Sequence, residues 1–175
     1  ALLAVRDIDG DEELVIANVT DLIRSDLERT VRHFRDAGAD AGTVVFDSLH
    51  PRYSFIRQDA DGRVIEAAER RPISRKATAG FYWFRHGSDF VRAAKAMILK
   101  DAQVDGMYFV CPTLNELILE GKTVLAAEVP ADCYVPLKTA ALVEEFRQTV
   151  ERRLSGDAAA GHWPFVPAGD DITPR

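Results

Sequence analysis

The chain has 175 residues, 47% of them hydrophobic and 29% charged, with a formal net charge of −6. That length suits one domain with a sizeable core, and the composition is that of a folded soluble protein. The acidic balance argues against a nucleic-acid partner, which needs a basic footprint; no apolar run is long enough to span a bilayer and no signal-peptide pattern is present, so no membrane partner and a cytoplasmic location are expected.

Leu2, Leu3, Val5 and Ile8 fit the end of an amphipathic helix closed by Asp9-Gly10. The chain opens with Ala1 inside that helix, so a fragment or processed piece is expected. Leu14–Ala17 is a short, wholly apolar run, as expected of a strand buried on both faces in a parallel sheet, and polarity returns at Asn18. Ligands of open α/β sheets sit at the carboxyl ends of such strands. Ser25, with Glu28 three residues on, predicts a capping box for a helix that buries Leu27, Val31 and Phe34 and stops at Gly38. Thr43–Phe46 is a second buried strand, parallel to the first through a right-handed crossover.

After Pro51 the pattern alternates. Tyr53–Arg57 and Arg63–Ala67 read as a hairpin turning at Asp59-Ala-Asp61-Gly62. A charged loop, Glu69-Arg70-Arg71-Pro72-Ile73-Ser74-Arg75-Lys76, then leads into an aromatic strand over Gly80–Phe84. Such a loop suits either a solvated surface or a ligand site. Ser88 is the expected cap of a helix facing inward with Phe90, Val91, Ala94, Met97 and Ile98. Gly106–Val110 reads as a strand, Leu114–Leu119 as a short helix ended by Gly121, Thr123–Val129 as a strand and Tyr134–Leu137 as an extended piece. Thr139 caps a last helix with Val143, Phe146, Val150 and Leu154 inward and Gly156 beyond its end. Residues 1–156 form the expected domain and 157–175 an Ala-, Gly- and Pro-rich tail.

No Gly-rich phosphate loop, metalloprotease motif, Cys-x-x-Cys or nucleophile elbow is present. Ser48 and His50 form a spacing common by chance, the four histidines are scattered, and Cys111 and Cys133 suit small core positions. The polar groups that could converge are Asn18, Asp21, Glu69, Arg70, Lys76, Thr78 and Tyr82. They suit a sugar phosphate, because a carboxylate accepts from hydroxyls while guanidinium and ammonium groups pair with phosphate. Each has a plainer role open to it: Asn18 as a turn former, Asp21 as a helix-start residue, Lys76 as a solvated charge, Tyr82 as half-core.

The order Leu14-Val15-Ile16-Ala17-Asn18, His50-Pro51-Arg52-Tyr53-Ser54, Glu69-Arg70-Arg71-Pro72-Ile73-Ser74, Thr78-Ala79-Gly80-Phe81-Tyr82, Gly87-Ser88-Asp89-Phe90 and Asn115-Glu116 resembles the sugar-1-phosphate nucleotidyltransferase family of capsule and surface-sugar gene sets. The similarity runs from Ala1 to about Phe146. It implies an α/β fold, a Rossmann-like mixed sheet of the nucleotide-diphospho-sugar transferase type, truncated at the amino terminus. It implies transfer of a nucleotidyl group from a nucleoside triphosphate to a sugar 1-phosphate with magnesium (Mg2+), for surface-polysaccharide precursors. Asn18, Glu69, Arg70, Thr78, Gly80 and Tyr82 then fall along the substrate pocket, with no catalytic residue assigned. The family's amino-terminal Gly-rich loop would lie before Ala1. Its Asn-Ser-Asp-Gln becomes Asn18-Val19-Thr20-Asp21, so only a shifted Asp21 is left for the metal. Its Leu-Gly-Thr-Pro becomes Leu137-Lys138-Thr139-Ala140. This chain is therefore expected to be inactive alone, either as part of a working enzyme or as a non-catalytic domain that binds a sugar nucleotide or a partner.

Overall fold

A computed structural model of the chain describes residues 1–154, without the side chains of 153 and 154. Gly156, the tail and the side chain of Leu154 lie outside the described residues. A 3-10 turn over Leu2–Ala4 precedes α1 (Val5–Ile8), β1 (Leu14–Ala17), β2 (Asp21–Ile23), α2 (Leu27–Asp36), β3 (Ala41–Asp47), β4 (Ser54–Gln58), β5 (Val64–Glu69) and β6 (Lys76–Phe84). Then follow α3 (Gly87–Leu99), α4 (Thr113–Leu119), β7 (Val124–Glu128), β8 (Tyr134–Pro136) and α5 (Ala140–Leu154). The fold is mixed α/β. Strands run in the order β5-β4-β6-β3-β7, β1 also pairs with β6, and β2 with β8 form a separate ribbon.

The aromatic strand β6 is the spine. One edge pairs antiparallel with β3; the other pairs with β4 at Lys76 and Ala77 and with β1 from Phe81 to Phe84. Its residues alternate between two cores, as a twofold strand period requires. Tyr82 and Phe84 face Phe90 and Val91 of α3 and Leu114 and Leu117 of α4. Phe81 and Trp83 face Val31 and Phe34 of α2, with Phe34 stacked on Trp83 at 5.9 Å between ring centroids. β3, buried over its first six residues, is the doubly covered strand its apolar run predicts.

β1 differs from the expectation. It is antiparallel to β6, its residues alternate between half-buried and exposed, and Val15 is 49% exposed. Four apolar residues fit a half-covered strand as readily as a buried one. β1 and β3 do share a direction, since both oppose β6, but β6 lies between them.

The helix starts also shift. Asp26, not Ser25, caps α2, its carboxylate accepting from the N–H of Arg29 at 2.9 Å. Ser88 caps nothing, because the N–H groups of Gly87 and Ser88 go to the carbonyls of Glu12 and Gly10. α3 so placed leaves Ile98 38% exposed. The expected strand over Gly106–Val110 is irregular: Asp101, Asp105 and Gly106 have positive φ, and Val104 and Met107 exchange backbone hydrogen bonds in a tight turn. Val143 of α5 is exposed, whereas Thr139 accepts from the N–H of Leu142 at 3.3 Å as a cap should. The β4–β5 hairpin forms as expected, turning at Gly62 with φ +81°. Among the described residues no helix is long and apolar enough to cross a membrane.

Candidate functional site

β6 changes partner along one edge, and the change has a local cause. Thr43 pairs with Tyr82 and Val45 with Thr78, so three residues of β6, Ala79–Phe81, stand opposite Val44 alone. Gly80, at φ +73°, makes this bulge. The buried Thr43 hydroxyl donates to the Phe81 carbonyl at 2.8 Å and helps to satisfy the broken ladder. On the opposite edge β4 ends its pairing before the bulge and β1 begins at its last residue, Phe81. A cleft of about 370 Å³ opens there.

Asn18, Asp21, Glu69, Arg70, Thr78, Gly80 and Tyr82 all line this cleft. Lys76 does not; its ammonium pairs with Glu128 at 2.7 Å. Ser48 and His50 form a local turn, with the His50 N–H donating to the Ser48 hydroxyl, and do not line it.

Asn18 sits where β1 ends. Its N–H donates to the Gly80 carbonyl at 3.0 Å and its side-chain amide to Asp21 Oδ2 at 2.8 Å. The Asp21 side chain is only 2% exposed, and its Oδ1 accepts no hydrogen bond, with Lys138 Nζ at 3.5 Å. Thr78 and Tyr82 bond hydroxyl to hydroxyl at 2.9 Å on the buried floor, where burial drives the Tyr82 phenol well above its ordinary pKa. Glu69 ends β5 with its side chain 6% exposed and accepts from the Ser54 hydroxyl across the hairpin. Burial raises its carboxyl above the usual range, against the lowering pull of the Ser54 hydrogen bond, Arg70 and Lys138.

Arg70 adopts φ +54°, a turn uncommon for a residue with a side chain. Its N–H donates to the Tyr53 carbonyl, its Nη1 reaches Asp105 at 2.8 Å, and its guanidinium lies over the Phe109 ring at 5.3 Å. The charged loop and the 104–111 segment are thereby tied together beside the cleft.

Sequence reasoning missed Arg52, Ser54, Tyr108, Phe109, Cys111, Tyr134 and Lys138 on the cleft wall. Arg52 and Ser54 belong to the His50-Pro51-Arg52-Tyr53-Ser54 run that carries the resemblance, and Lys138 to the departure Leu137-Lys138-Thr139-Ala140. Nothing in the local pattern marks the other four. Tyr134 stacks on Phe46 at 4.3 Å, and burial, with the Asp21 charge next, raises its phenol. Burial pushes the Cys111 thiol up to about 12, so it is no nucleophile near neutral pH.

The donor set does not fit a magnesium ion. A hard cation takes several oxygens, usually including carboxylates. Asp21 has one oxygen on Asn18 and the other facing an ammonium, Glu69 is bonded to Ser54, and no group of three or more His, Cys, Asp or Glu that could hold a metal gathers among the described residues. The cleft instead presents two buried carboxylates, hydroxyls and three cationic side chains, Arg52, Arg70 and Lys138.

Neither a protein-family model nor a curated protein matches the sequence. Many solved structures are similar, among them two nucleotide-sugar enzymes by their descriptions. A nucleoside-diphosphate-sugar pyrophosphorylase from Vibrio cholerae RC9 superposes with a TM-score of 0.66 at 20% identity, over 83% of this chain and 60% of that one. A protein described as a glucose-1-phosphate thymidylyltransferase from Bacillus anthracis, in complex with a sucrose, gives 0.63 at 17% identity, over 93% and 62%. This chain thus spans about three fifths of the length of each. It has the fold of the sugar-1-phosphate nucleotidyltransferases.

Proposed function

We propose that the cleft binds a sugar 1-phosphate, as the sugar side of a nucleotidyltransferase-type site serving surface-polysaccharide precursor synthesis, and that this chain alone does not carry out nucleotidyl transfer from a nucleoside triphosphate. The observation that carries the proposal is the buried Glu69 carboxylate facing the same small cleft as Arg52, Arg70 and Lys138. A hexose 1-phosphate matches it in both parts. Its ring hydroxyls donate to Glu69, and its phosphate oxygens accept from guanidinium and ammonium groups. Thr78 and Tyr82 supply paired hydroxyls on the floor, and Tyr53 and Tyr134 supply apolar wall for a ring face. The cleft volume is of the size that encloses small ligands, roughly 300–1,000 Å³.

Titration calorimetry with a panel of hexose 1-phosphates, free hexoses and inorganic phosphate tests this. Binding of at least one hexose 1-phosphate should exceed that of either half alone. Losing one charge-assisted bond costs about 1.5–3 kcal/mol, so Glu69→Ala should weaken binding by roughly ten-fold or more. Binding no tighter than that of inorganic phosphate, or insensitive to Glu69, refutes the proposal.

A further inference from the structure

We infer, on the reading of this cleft as a sugar-phosphate site, that Lys138 is its built-in counter-ion and binds the ligand phosphate without a divalent metal. Asp21 is the starting observation. Its carboxylate is almost wholly buried, Asn18 takes Oδ2, and Oδ1 is left without a hydrogen bond, facing Lys138 Nζ. An unpaired buried carboxylate is costly, so a positive charge belongs beside Oδ1. The fold supplies one by backbone pairing rather than by chance of rotamer. Asp21 of β2 is registered against Pro136 of β8, and the Leu137 N–H donates to the Thr20 carbonyl at 2.7 Å. The next residue is Lys138.

The ammonium also acts on the second carboxylate. Lys138 is among the charges that pull the Glu69 carboxyl down against its burial. A cation that acts on two buried carboxylates repels a divalent ion from the same place. Its side chain is 44% exposed, so an ammonium with three donors keeps some of them for a ligand. Lysine is a point-charge phosphate binder, and Arg52 and Arg70, lining the same cleft, add guanidinium forks.

Glucose 1-phosphate is titrated into the full chain by calorimetry in EDTA and again in excess magnesium. The wild type should bind equally in both. Lys138→Ala should lose about ten-fold or more, and Lys138→Arg, which keeps the charge, should stay within a few-fold. Circular dichroism checks that each variant is folded. Tighter wild-type binding in magnesium by ten-fold or more, or undiminished binding by folded Lys138→Ala, overturns the inference. Manganese uptake, followed by electron paramagnetic resonance, gives an arm that needs no sugar. If glucose 1-phosphate binds in neither buffer, the sugar-phosphate reading fails for this ligand and the manganese arm still decides on Lys138. Uptake by Lys138→Ala but not by the wild type upholds its counter-ion role, and any other pattern overturns it.

Discussion

Replacing Gly80 by alanine should damage both the fold and the cleft, and the two costs can be separated. At φ +73° a residue with a Cβ pays about 1–2 kcal/mol for the left-handed conformation. The new Cβ would also stand 2.4 Å from Asn18 Nδ2 and 2.9 Å from Asn18 Cγ, so the Asn18 side chain must move. Moving it breaks the 2.8 Å bond to Asp21 Oδ2. That leaves a buried carboxylate oxygen short of a donor, which costs roughly 1–3 kcal/mol more. Together the loss is about 2–5 kcal/mol, a large share of the roughly 5–15 kcal/mol that holds a typical domain together. In urea, with a slope near 1–3 kcal/mol/M, the midpoint should fall by about 1 M or more. Gly62→Ala is the control: its φ is +81°, but nothing lies within 4 Å of the added Cβ, so it pays the backbone cost alone. Equilibrium unfolding of both variants, with hexose 1-phosphate titration of Gly80→Ala, is the assay. Equal midpoints for the two variants, or unchanged ligand affinity in Gly80→Ala, would refute the coupling of bulge, Asn18 and Asp21.

Glu69 gives a pH dependence with a definite sign. Burial raises its folded pKa, so its contribution to stability is full below the ordinary carboxylate value of about 4.3 and is lost as pH rises through the raised value. Glu69→Gln should therefore gain stability relative to wild type as pH climbs through that window, and parallel melting curves across it would contradict this. Cys111, held up to about 12 by burial, should resist a thiol reagent near neutral pH in the native protein and react on unfolding; labelling at the rate of a free thiol would sink the assignment. The isolated chain should release no pyrophosphate from any nucleoside triphosphate and sugar 1-phosphate, and release above a magnesium-free blank would count against it.

Much of the fold was legible because its signals are local. The β4–β5 hairpin declares itself by alternation and by Asp61-Gly62, and β3 by an apolar run that two cores do cover. The errors fall where a distant partner decides. β1 reads like a buried parallel strand because its four residues carry no mark of what lies beside them, and it is β6, more than sixty residues on, that pairs it antiparallel. Ser88 fits a cap by composition, but the carbonyls of Gly10 and Glu12 had already taken the helix's first N–H groups. The turn at Asp105-Gly106 defeats a strand that its apolar neighbours suggest.

The site follows the same division. Asn18, Glu69, Arg70, Thr78, Gly80 and Tyr82 could be named together because each lies at a strand end, in the charged loop or on β6, and the bulge at Gly80 gathers all three places at one edge of the spine. What no local pattern contains is the electrostatic solution at Asp21. A shifted carboxylate next to Thr20 reads as a damaged metal ligand, and a lysine 117 residues later reads as a separate departure. The β2–β8 ribbon makes them one feature, because registering Asp21 against Pro136 sets Lys138 beside the oxygen that lacks a partner. Two residues that each weaken the case for a magnesium site thus stand as one ion pair. A buried carboxylate without a cation beside it would have to be neutralised, and in this chain an ammonium stands next to Asp21.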